Sequence, residues 1–216
     1  MAGRAAAGYS AVHMKLYYSP QVCSLVPHIV LRELGATFDL VKFDFASKEA
    51  ADGTGTKLRA VTPKDYVPIL ELDNGERLTE LSVIIRYLAD QHAEKNLAPR
   101  VGTFERVRFE ELLHFIATEL HKGFSPYTLI PQMNDDSLAW VKTRLTQRVE
   151  LLRTQLGARA FIFGDSFTIA DAYAFWALRA FSFLTKTKLD GTLKEYLARM
   201  TAWPSVQAAV DYEKRN

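Results

Sequence analysis

The sequence predicts two domains, an α/β domain followed by an all-α domain. Short strand and helix patterns alternate over residues 14–94, whereas the segments of residues 103–216 are long, helical in period and without strand-like alternation. Residues 95–102 contain Asn, Pro and Gly residues that interrupt both periods, so we expect a linker there. Residues 1–13 lack the apolar core of a secretory signal, and we interpret them as a leader or a vector-derived segment.

Composition supports two packed domains and excludes several functions. The chain has 216 residues, of which 48% are hydrophobic and 24% charged, as in ordinary globular proteins. The formal net charge is +2 and the basic residues are scattered among acids, so we expect no nucleic-acid partner. No apolar run reaches the roughly 20 residues of a membrane span, so we expect no membrane partner. A single cysteine excludes a disulfide framework within the chain and suits the cytoplasm.

The first domain begins with a βαβ unit. Residues 15–19 are rich in aromatic side chains and predict a strand, and residues 38–44 alternate as a second strand. Between them, residues 24–34 predict a helix that tolerates Pro27 in its first turn. Because a helix connects the two strands, we expect them to be parallel.

A hairpin and a helix complete this domain after a long irregular connection. Residues 67–72 and 76–79 predict two antiparallel strands, and Asn74-Gly75 between them favours a type I′ turn. A helical spacing then follows in the apolar residues Leu81, Ile84, Ile85 and Leu88. The resulting order, βαβ followed by ββα, is that of a thioredoxin-like domain.

The first helix of the second domain combines an apolar stripe with a polar face. It begins near Thr103. Its apolar stripe consists of Phe109, Leu112, Leu113, Ile116 and Leu120. Three polar residues, His114, Thr118 and His121, are expected together on another face, which would be available to a ligand.

The remaining helices follow from apolar periodicity and capping signals. Residues 138–156 predict one amphipathic helix, and residues 172–184 are apolar nearly all round, as in a central buried helix. The segment from Thr168 to Asp171 forms a capping box before the buried helix. Two shorter helices, around 192–200 and 204–214, close the chain.

Cys23 is the candidate reactive residue. It lies after the first strand and one residue before the predicted helix, where backbone N–H groups and the helix dipole favour a thiolate. No second cysteine is present, so an oxidised Cys23 would be resolved by a small external thiol. The alternative is that Cys23 is a small buried hydrophobe.

Two further segments could bind a ligand through their backbone. A cis peptide between Val67 and Pro68 would expose the backbone of Val67 to an extended ligand, whereas most such bonds are trans. At residues 79–82 a helix begins, so its N–H groups could bind a carboxylate while Glu80 binds an ammonium group. Ordinary helix capping explains the same residues without a ligand.

The histidines give weaker indications. His121 and Lys122 could orient or activate a substrate, although such a pair is usually solvated surface. His28 lies in an otherwise apolar helix and is expected to be structural. None of the five histidines has a helix-compatible zinc partner, so we expect no metal site. Motifs of phosphate-binding loops and of the nucleophile elbow are also missing from the sequence.

Several motifs together give a family resemblance. They are MKLYYSPQVCSLVPHIVLREL (14–34), YVP (66–68), LTE (78–80) before IIRYLAD, ELHKGFSP (119–126) and FTIADAYAF (167–175). The chain resembles bacterial beta-class glutathione S-transferases from about Met14 to Asn216. The resemblance implies the architecture of that family, with a thioredoxin-like domain and an all-helical domain. It also implies a homodimer that binds glutathione between the domains.

The resemblance assigns roles to the candidate residues. Cys23 matches the cysteine that forms a mixed disulfide with glutathione, and Val67-Pro68 matches the cis element that pairs with its cysteinyl part. Glu80 and Leu81 match the γ-glutamyl site, and Lys48 matches a lysine near the glycyl carboxylate. In the helical domain, the matching glutathione-binding residues are His114, Thr118, Glu119, Leu120 and His121. Residues expected to support the site are Tyr18, Ser82 and Lys122.

Two positions depart from the family pattern. Leu81 stands where many members have Gly or Ser, so it offers only its backbone to glutathione, and we expect an altered affinity. His114 stands where many beta-class members have Asn, which adds a group that titrates near neutral pH. We expect this exchange to change the preference for the second substrate.

The expected activity is the conjugation of reduced glutathione to small hydrophobic electrophiles. Cys23 and His121 are the expected catalytic residues, with glutathione as cosubstrate and no tightly bound cofactor. One alternative is a glutathione-dependent thiol–disulfide reductase or peroxidase, in which the Cys23 sulfur itself attacks. Another is a noncatalytic scaffold that binds hydrophobic ligands or another protein.

Overall fold

A computed structural model describes residues 13–130 and 132–216 of the chain. Except for His13, the segment interpreted as a leader lies outside these described residues. Within them, no helix combines the length and the apolar character needed to cross a lipid bilayer.

Four strands form the sheet of the first domain. They are β1 (Met14–Tyr18), β2 (Phe38–Lys42), β3 (Ile69–Glu71) and β4 (Arg77–Leu78). The spatial order is β2-β1-β3-β4. β1 pairs with β2 in parallel, with Leu16 opposite Leu40, and the other two pairs are antiparallel. The predicted thioredoxin-like order is confirmed.

Three helices accompany the sheet. They are α1 (Leu25–Leu34), the short α2 (Leu58–Val61) in the long connection, and α3 (Leu81–Gln91). Pro27 is the third residue of α1, where its missing N–H would have had no partner within the helix. Gly35 ends α1 in the left-handed region, with φ +67°, as glycine commonly does at this position.

The turn between β3 and β4 differs from the predicted type I′ turn. That turn needs a positive φ at both central residues, but only Gly75 of the pair Asn74-Gly75 has one. The N–H of Gly75 donates to the carbonyl of Leu72 at 2.9 Å, and the N–H of Leu72 donates to Glu76 at 2.8 Å. This pattern is a type I turn with a G1 bulge. The Asn74 side chain favours it by accepting the N–H of Glu76 at 2.9 Å.

In the described part of the second domain, six segments are α-helices. They are α4 (Phe104–Phe115), α5 (Ser125–Thr128), α6 (Asp135–Leu156), α7 (Ile169–Thr185), α8 (Gly191–Thr201) and α9 (Pro204–Arg215). Every residue of α7 from Ile169 to Leu178 is buried, as predicted for a central helix. One hydrophobic core joins α1 and α3 of the first domain to α4, α6 and α7 of the second.

A π-helical segment changes the face predicted for the end of α4. Residues Ile116–His121 form this wider turn, which shifts the direction of the side chains that follow it. His114 and Thr118 are exposed, as expected. His121 instead contacts Tyr173 of α7, so the three polar residues do not share one exposed face.

The capping box before α7 is confirmed. The Asp171 carboxylate is fully buried and accepts the N–H of Ile162 at 2.7 Å and the N–H of Thr168 at 2.9 Å. It also accepts the hydroxyl groups of Thr168 at 2.9 Å and Tyr196 at 3.0 Å. This single side chain therefore connects the start of α7 with α8 and with the segment before the cap.

Asp171→Ala is expected to lower the free energy of unfolding by about 3 kcal/mol, because several buried donors lose their acceptor. The matched control is Thr103→Ala, which removes the cap of α4 at a half-buried position. This control is expected to cost about 1 kcal/mol. Denaturant unfolding followed by circular dichroism measures both variants, and equal losses would contradict the central role of Asp171.

Candidate functional site

Cys23 lies in the loop between β1 and α1, beside the peptide bond that precedes β3. Its Sγ donates a hydrogen bond to the carbonyl of Val67 at 3.5 Å. The bond between Val67 and Pro68 is cis, the isomer implied by the resemblance. Ser24 closes the loop, since its Oγ accepts the N–H of Ser19 at 3.1 Å and donates to the Ser19 carbonyl at 2.9 Å. The Cys23 thiol therefore contacts the backbone of Val67 directly.

The charge state of Cys23 differs from the expected one. Burial raises the pKa of the thiol to about 12. The backbone N–H groups at the start of α1 and the ammonium groups of Lys122 and Lys48 act in the opposite direction, but more weakly. The start of the helix therefore lowers the pKa of Cys23, as predicted, but the loss of water around the sulfur raises it by more. Cys23 is therefore a thiol at neutral pH, in agreement with its hydrogen bond to Val67.

Glu80 begins α3 with an uncommon backbone conformation. Its φ of +67° lies in the region that non-glycine residues rarely adopt, and such residues are concentrated at functional sites. Its carbonyl accepts the N–H groups of Val83 and Ile84, both at 3.0 Å. Its Oε1 accepts Lys64 Nζ at 2.6 Å and the Tyr66 hydroxyl at 2.7 Å. These two partners lower the pKa of Glu80, so the carboxylate is charged.

Leu81 can offer a ligand its backbone but not its side chain. The side chain is 5% exposed and belongs to the hydrophobic core. Ser82 follows in the first turn of α3 and is half-buried. The backbone N–H groups of the first helical turn are the donors that bind anions at helix starts.

His121 faces α7 from the second domain. Its Nδ1 lies 2.8 Å from the Tyr173 hydroxyl, and its ring packs edge-on against Trp176 with the ring centroids 4.5 Å apart. Burial, followed by the adjacent Lys122 ammonium, lowers the pKa of His121 to about 4. The imidazole is therefore neutral at physiological pH. With Nδ1 committed to Tyr173, Nε2 is the nitrogen that can meet a ligand.

Lys122 of the second domain interacts with residues of both domains. Its Nζ lies 5.8 Å from the centroid of the Tyr66 ring. It also acts electrostatically on the thiol of Cys23, on the carboxylate of Glu80 and on the imidazole of His121. A thiol, a carboxylate, a neutral imidazole and an ammonium group therefore converge from both domains.

The charges of this site suit a small zwitterion. The ammonium group of Lys64 contacts the Glu80 carboxylate, and that of Lys122 acts on it electrostatically. The first turn of α3 offers backbone donors. Such a set can bind both a carboxylate and an ammonium group of one ligand. Among the residues that the structure describes, no three His, Cys, Asp or Glu side chains are grouped so as to hold a metal ion.

Known proteins share the division into two domains. Family models described as the N-terminal and C-terminal domains of glutathione S-transferase match residues 22–91 and 136–210. Glutathione S-transferase GstA of Escherichia coli O157:H7 is 39% identical over 93% of this chain and 98% of its own length. The chain belongs to the glutathione S-transferase family.

Solved structures of this family have the same fold. A sphingomonad glutathione S-transferase complexed with glutathione has a TM-score of 0.83 at 34% identity, covering 94% of this chain and 100% of its own. A beta-class enzyme of Sphingomonas chungbukensis has a TM-score of 0.82 at 38% identity, with 92% and 98% covered. The chain is therefore a transferase with glutathione as its cosubstrate, as the sequence predicted.

Part of the glutathione-binding set implied by the resemblance has other partners. His114 and Thr118 are exposed, and each hydrogen bonds to a backbone carbonyl one turn earlier, at 2.8 and 2.9 Å. Glu119 accepts Nε of Arg148 from α6 at 2.7 Å. Leu120 is 0% exposed and packs in the core. The contacts of Glu119 and Leu120 therefore lie within the helical domain.

Two residues expected near glutathione lie at different distances from the chemistry. Lys48 lies in the loop after β2 with Nζ 4.4 Å from the Phe45 ring centroid, and its charge reaches Cys23. Tyr18 is 1% exposed and its hydroxyl hydrogen bonds with Tyr212 of α9. Tyr18 therefore takes part in the contact between the domains.

Four residues of the site were missed in the sequence. Lys64 and Tyr66 hold Glu80, and Tyr173 and Trp176 hold His121. A signal existed for Tyr173, since a hydroxyl in an otherwise apolar helix needs a hydrogen-bond partner. Lys64 gave no such signal, because it comes near Glu80 only through the fold of the connection before β3.

In a histidine NMR titration, the ring of His121 is expected to titrate near pH 4, since burial and Lys122 disfavour its charged form. The groups that act on this ring are Lys122 and Glu80, with the Tyr173 hydroxyl on Nδ1. Lys122→Gln is expected to raise the midpoint because it removes a repelling charge. His121→Gln assigns the signal. A midpoint between pH 6 and 7 would show a solvated imidazole and contradict the described site.

Proposed function

We propose that the chain is a beta-class enzyme that joins the sulfur of reduced glutathione to small apolar electrophiles. The observation that carries this proposal is the convergence of Cys23, the Val67 backbone, Glu80 and His121 from two domains. The similar sphingomonad structure contains glutathione, and the Sphingomonas chungbukensis enzyme is a beta-class member. Both findings support this proposal.

Glutathione would bind along the edge formed by Val67 and the start of α3. The backbone of Val67 pairs with the extended cysteinyl part, which brings the ligand sulfur to the Cys23 thiol. The carboxylate of the γ-glutamyl part meets the N–H groups of Leu81 and Ser82. Its ammonium group meets Glu80, in place of the Lys64 ammonium that Glu80 holds at 2.6 Å.

With a pKa of about 4, the neutral His121 is a poor acceptor for the proton of the glutathione thiol, which passes to water, but it is suited to hydrogen bond to the sulfur. In this arrangement the Tyr173 hydroxyl donates to Nδ1, and the hydrogen on Nε2 is donated to the glutathione sulfur. The Lys122 ammonium stabilises the thiolate that results. The sulfur then forms a bond to the electrophilic carbon, and the leaving group departs with the electron pair of its bond. Holding both reactants together supplies a large share of the rate.

The state of Cys23 favours transfer over reduction by this residue. A thiol with a pKa of about 12 is a poor nucleophile at neutral pH, because the reactive species is the thiolate. Its hydrogen bond to the Val67 carbonyl also stabilises the protonated thiol. The attacking sulfur is therefore that of glutathione, and Cys23 contributes a contact to it.

Steady-state conjugation of glutathione to 1-chloro-2,4-dinitrobenzene tests these roles. His121→Gln is expected to lower kcat/KM by about 100-fold, because it removes the imidazole N–H that stabilises the glutathione thiolate. Cys23→Ala is expected to keep activity within about tenfold of wild type, since the attacking sulfur belongs to glutathione. The matched control is His92→Gln, at the end of α3, with an expected change below about twofold. Equal effects of the two histidine variants would refute the role of His121.

A homodimer is proposed through an apolar patch beside the linker. Val101, Phe104 and Val107 are spaced three residues apart around the start of α4 and are 67%, 70% and 56% exposed. Apolar residues grouped in this way on a surface mark an interface with another protein surface. A second copy of the chain is the occupant that the resemblance implies.

Phe104→Asp is expected to weaken the dimer by about 30-fold, as the loss of an aromatic anchor at an interface does. Phe183→Asp is the matched control, because Phe183 is equally exposed, at 71%, but lies on another helix, α7. Sedimentation velocity over a concentration series measures both variants. A wild-type monomer, or equal weakening by both changes, would contradict the proposed interface.

The cytoplasm is the proposed location. Cys23 is the only cysteine and has a free thiol. Proteins of reducing compartments keep their cysteines in this form, and reduced glutathione is the reactant that the enzyme consumes. Fractionation of the natural host, with antibodies against the chain, would test the location.

A further inference from the structure

The loop that carries Cys23 is tied to the last helix of the chain. Gln21 lies two residues before Cys23, and its N–H donates to Glu213 Oε2 at 2.6 Å. Its side chain extends the contact, since Oε1 accepts Nη2 of Arg179 at 2.9 Å and Nε2 donates to the carbonyl of Val210 at 3.4 Å. The loop of the first domain is therefore held by α7 and α9 of the second.

Glu213 is fixed by its other oxygen. Its side chain is 0% exposed, and Oε1 lies 2.8 Å from Nδ1 of His28, which is also 0% exposed. Nε2 of His28 accepts Nε of Arg32 at 2.8 Å, so the ring hydrogen is on Nδ1 and is donated to Glu213. A buried carboxylate is tolerated only when its oxygens are hydrogen-bonded, and Gln21 supplies the second bond.

The backbone of Gln21 gives an independent sign that these contacts are needed. Its φ is +61°, in the left-handed region that non-glycine residues seldom occupy. A residue persists in this conformation when the surrounding structure holds it there. The contacts from Glu213, Arg179 and Val210 are the groups that do so.

We propose that Glu213 and Gln21 are positioning residues that hold the Cys23 thiol against the Val67 carbonyl at the place where the sulfur of glutathione binds. That the sulfur of glutathione binds at this place rests on the proposed function, whereas the contact that holds the thiol does not. Neither residue touches the reacting atoms. Both act through the loop, so that α9 controls how the Cys23 sulfur is presented to ligand and water.

Two variants remove different parts of this contact. Gln21→Ala removes the bonds to Arg179 and Val210 and leaves the backbone N–H. Glu213→Gln places an amide donor opposite either the Gln21 N–H or the His28 ring. Gln21→Gly removes the same side chain but accommodates the positive φ, so it keeps the proposal testable if another variant folds poorly.

The matched control is Trp203→Phe. Nε1 of Trp203, at the start of α9, donates to Glu33 Oε2 of α1 at 2.9 Å. This bond also joins the two domains through α1 and α9, but it does not touch the Cys23 loop. Phenylalanine keeps an aromatic ring against Phe167, on which Trp203 stacks with centroids 5.1 Å apart.

The first readout is alkylation of the single cysteine by iodoacetamide at pH 7.5, followed by intact mass. A loosened loop admits water to the sulfur and increases the thiolate fraction, and each unit of pKa recovered gives about tenfold faster reaction. We expect about tenfold acceleration in Glu213→Gln and about threefold in both Gln21 variants. Trp203→Phe should stay within about twofold. Unchanged rates in the Gln21 and Glu213 variants, or equal acceleration in Trp203→Phe, would overturn the proposal.

The second readout is protection of Cys23 from alkylation by saturating S-methylglutathione, a form of glutathione whose blocked sulfur cannot consume iodoacetamide. Wild type and Trp203→Phe should be protected, whereas the Gln21 and Glu213 variants should lose at least half of this protection. A wild type that S-methylglutathione does not protect would count against the proposed function. The alkylation rates without S-methylglutathione would still decide whether the loop is held by α9.

Discussion

The buried carboxylate of Glu213 is the constraint on which the active arrangement depends. It lies near the end of the chain and binds both the ring of His28 in α1 and the backbone of Gln21 before Cys23. The hydrophobic core presses the two domains together, but apolar contact has no direction. Two short hydrogen bonds to one buried anion give the domain contact a defined geometry, which a site formed from two domains requires.

Burial then decides the chemistry of both central side chains. The pKa of the Cys23 thiol rises to about 12 and that of His121 falls to about 4, so both groups are neutral near pH 7. The charged groups of the site are Lys122 and Glu80, which are both exposed. A neutral thiol and a neutral imidazole suit an enzyme whose nucleophile arrives with the substrate, since neither group must be desolvated as an ion.

The fold could be predicted largely from the sequence, because strand alternation, helical periodicity and the capping box at Asp171 are local patterns. The hairpin turn could not, since the Asn74 side chain favours a bulged turn over the type I′ form. The positions of Cys23, Val67 and Glu80 followed from motifs. The charge state of Cys23 did not, because a sequence shows the helix start but not the protein packed around the sulfur. Tyr173 and Glu213 act on the site from distant segments, which only the tertiary structure brings near.

Intact-protein mass after exposure to glutathione disulfide tests the central claim most directly, which is that the site recognises glutathione and presents its sulfur to Cys23. The exchange is expected to be slow at neutral pH, because the pKa of about 12 leaves only a small thiolate fraction of Cys23. That thiolate attacks the disulfide, one reduced glutathione leaves, and the thiol proton of Cys23 passes to water. The account predicts one adduct that reductant reverses, that forms faster than with bis(2-hydroxyethyl) disulfide, and that is missing in Cys23→Ala. Equal reaction with both disulfides, or no adduct, would contradict it.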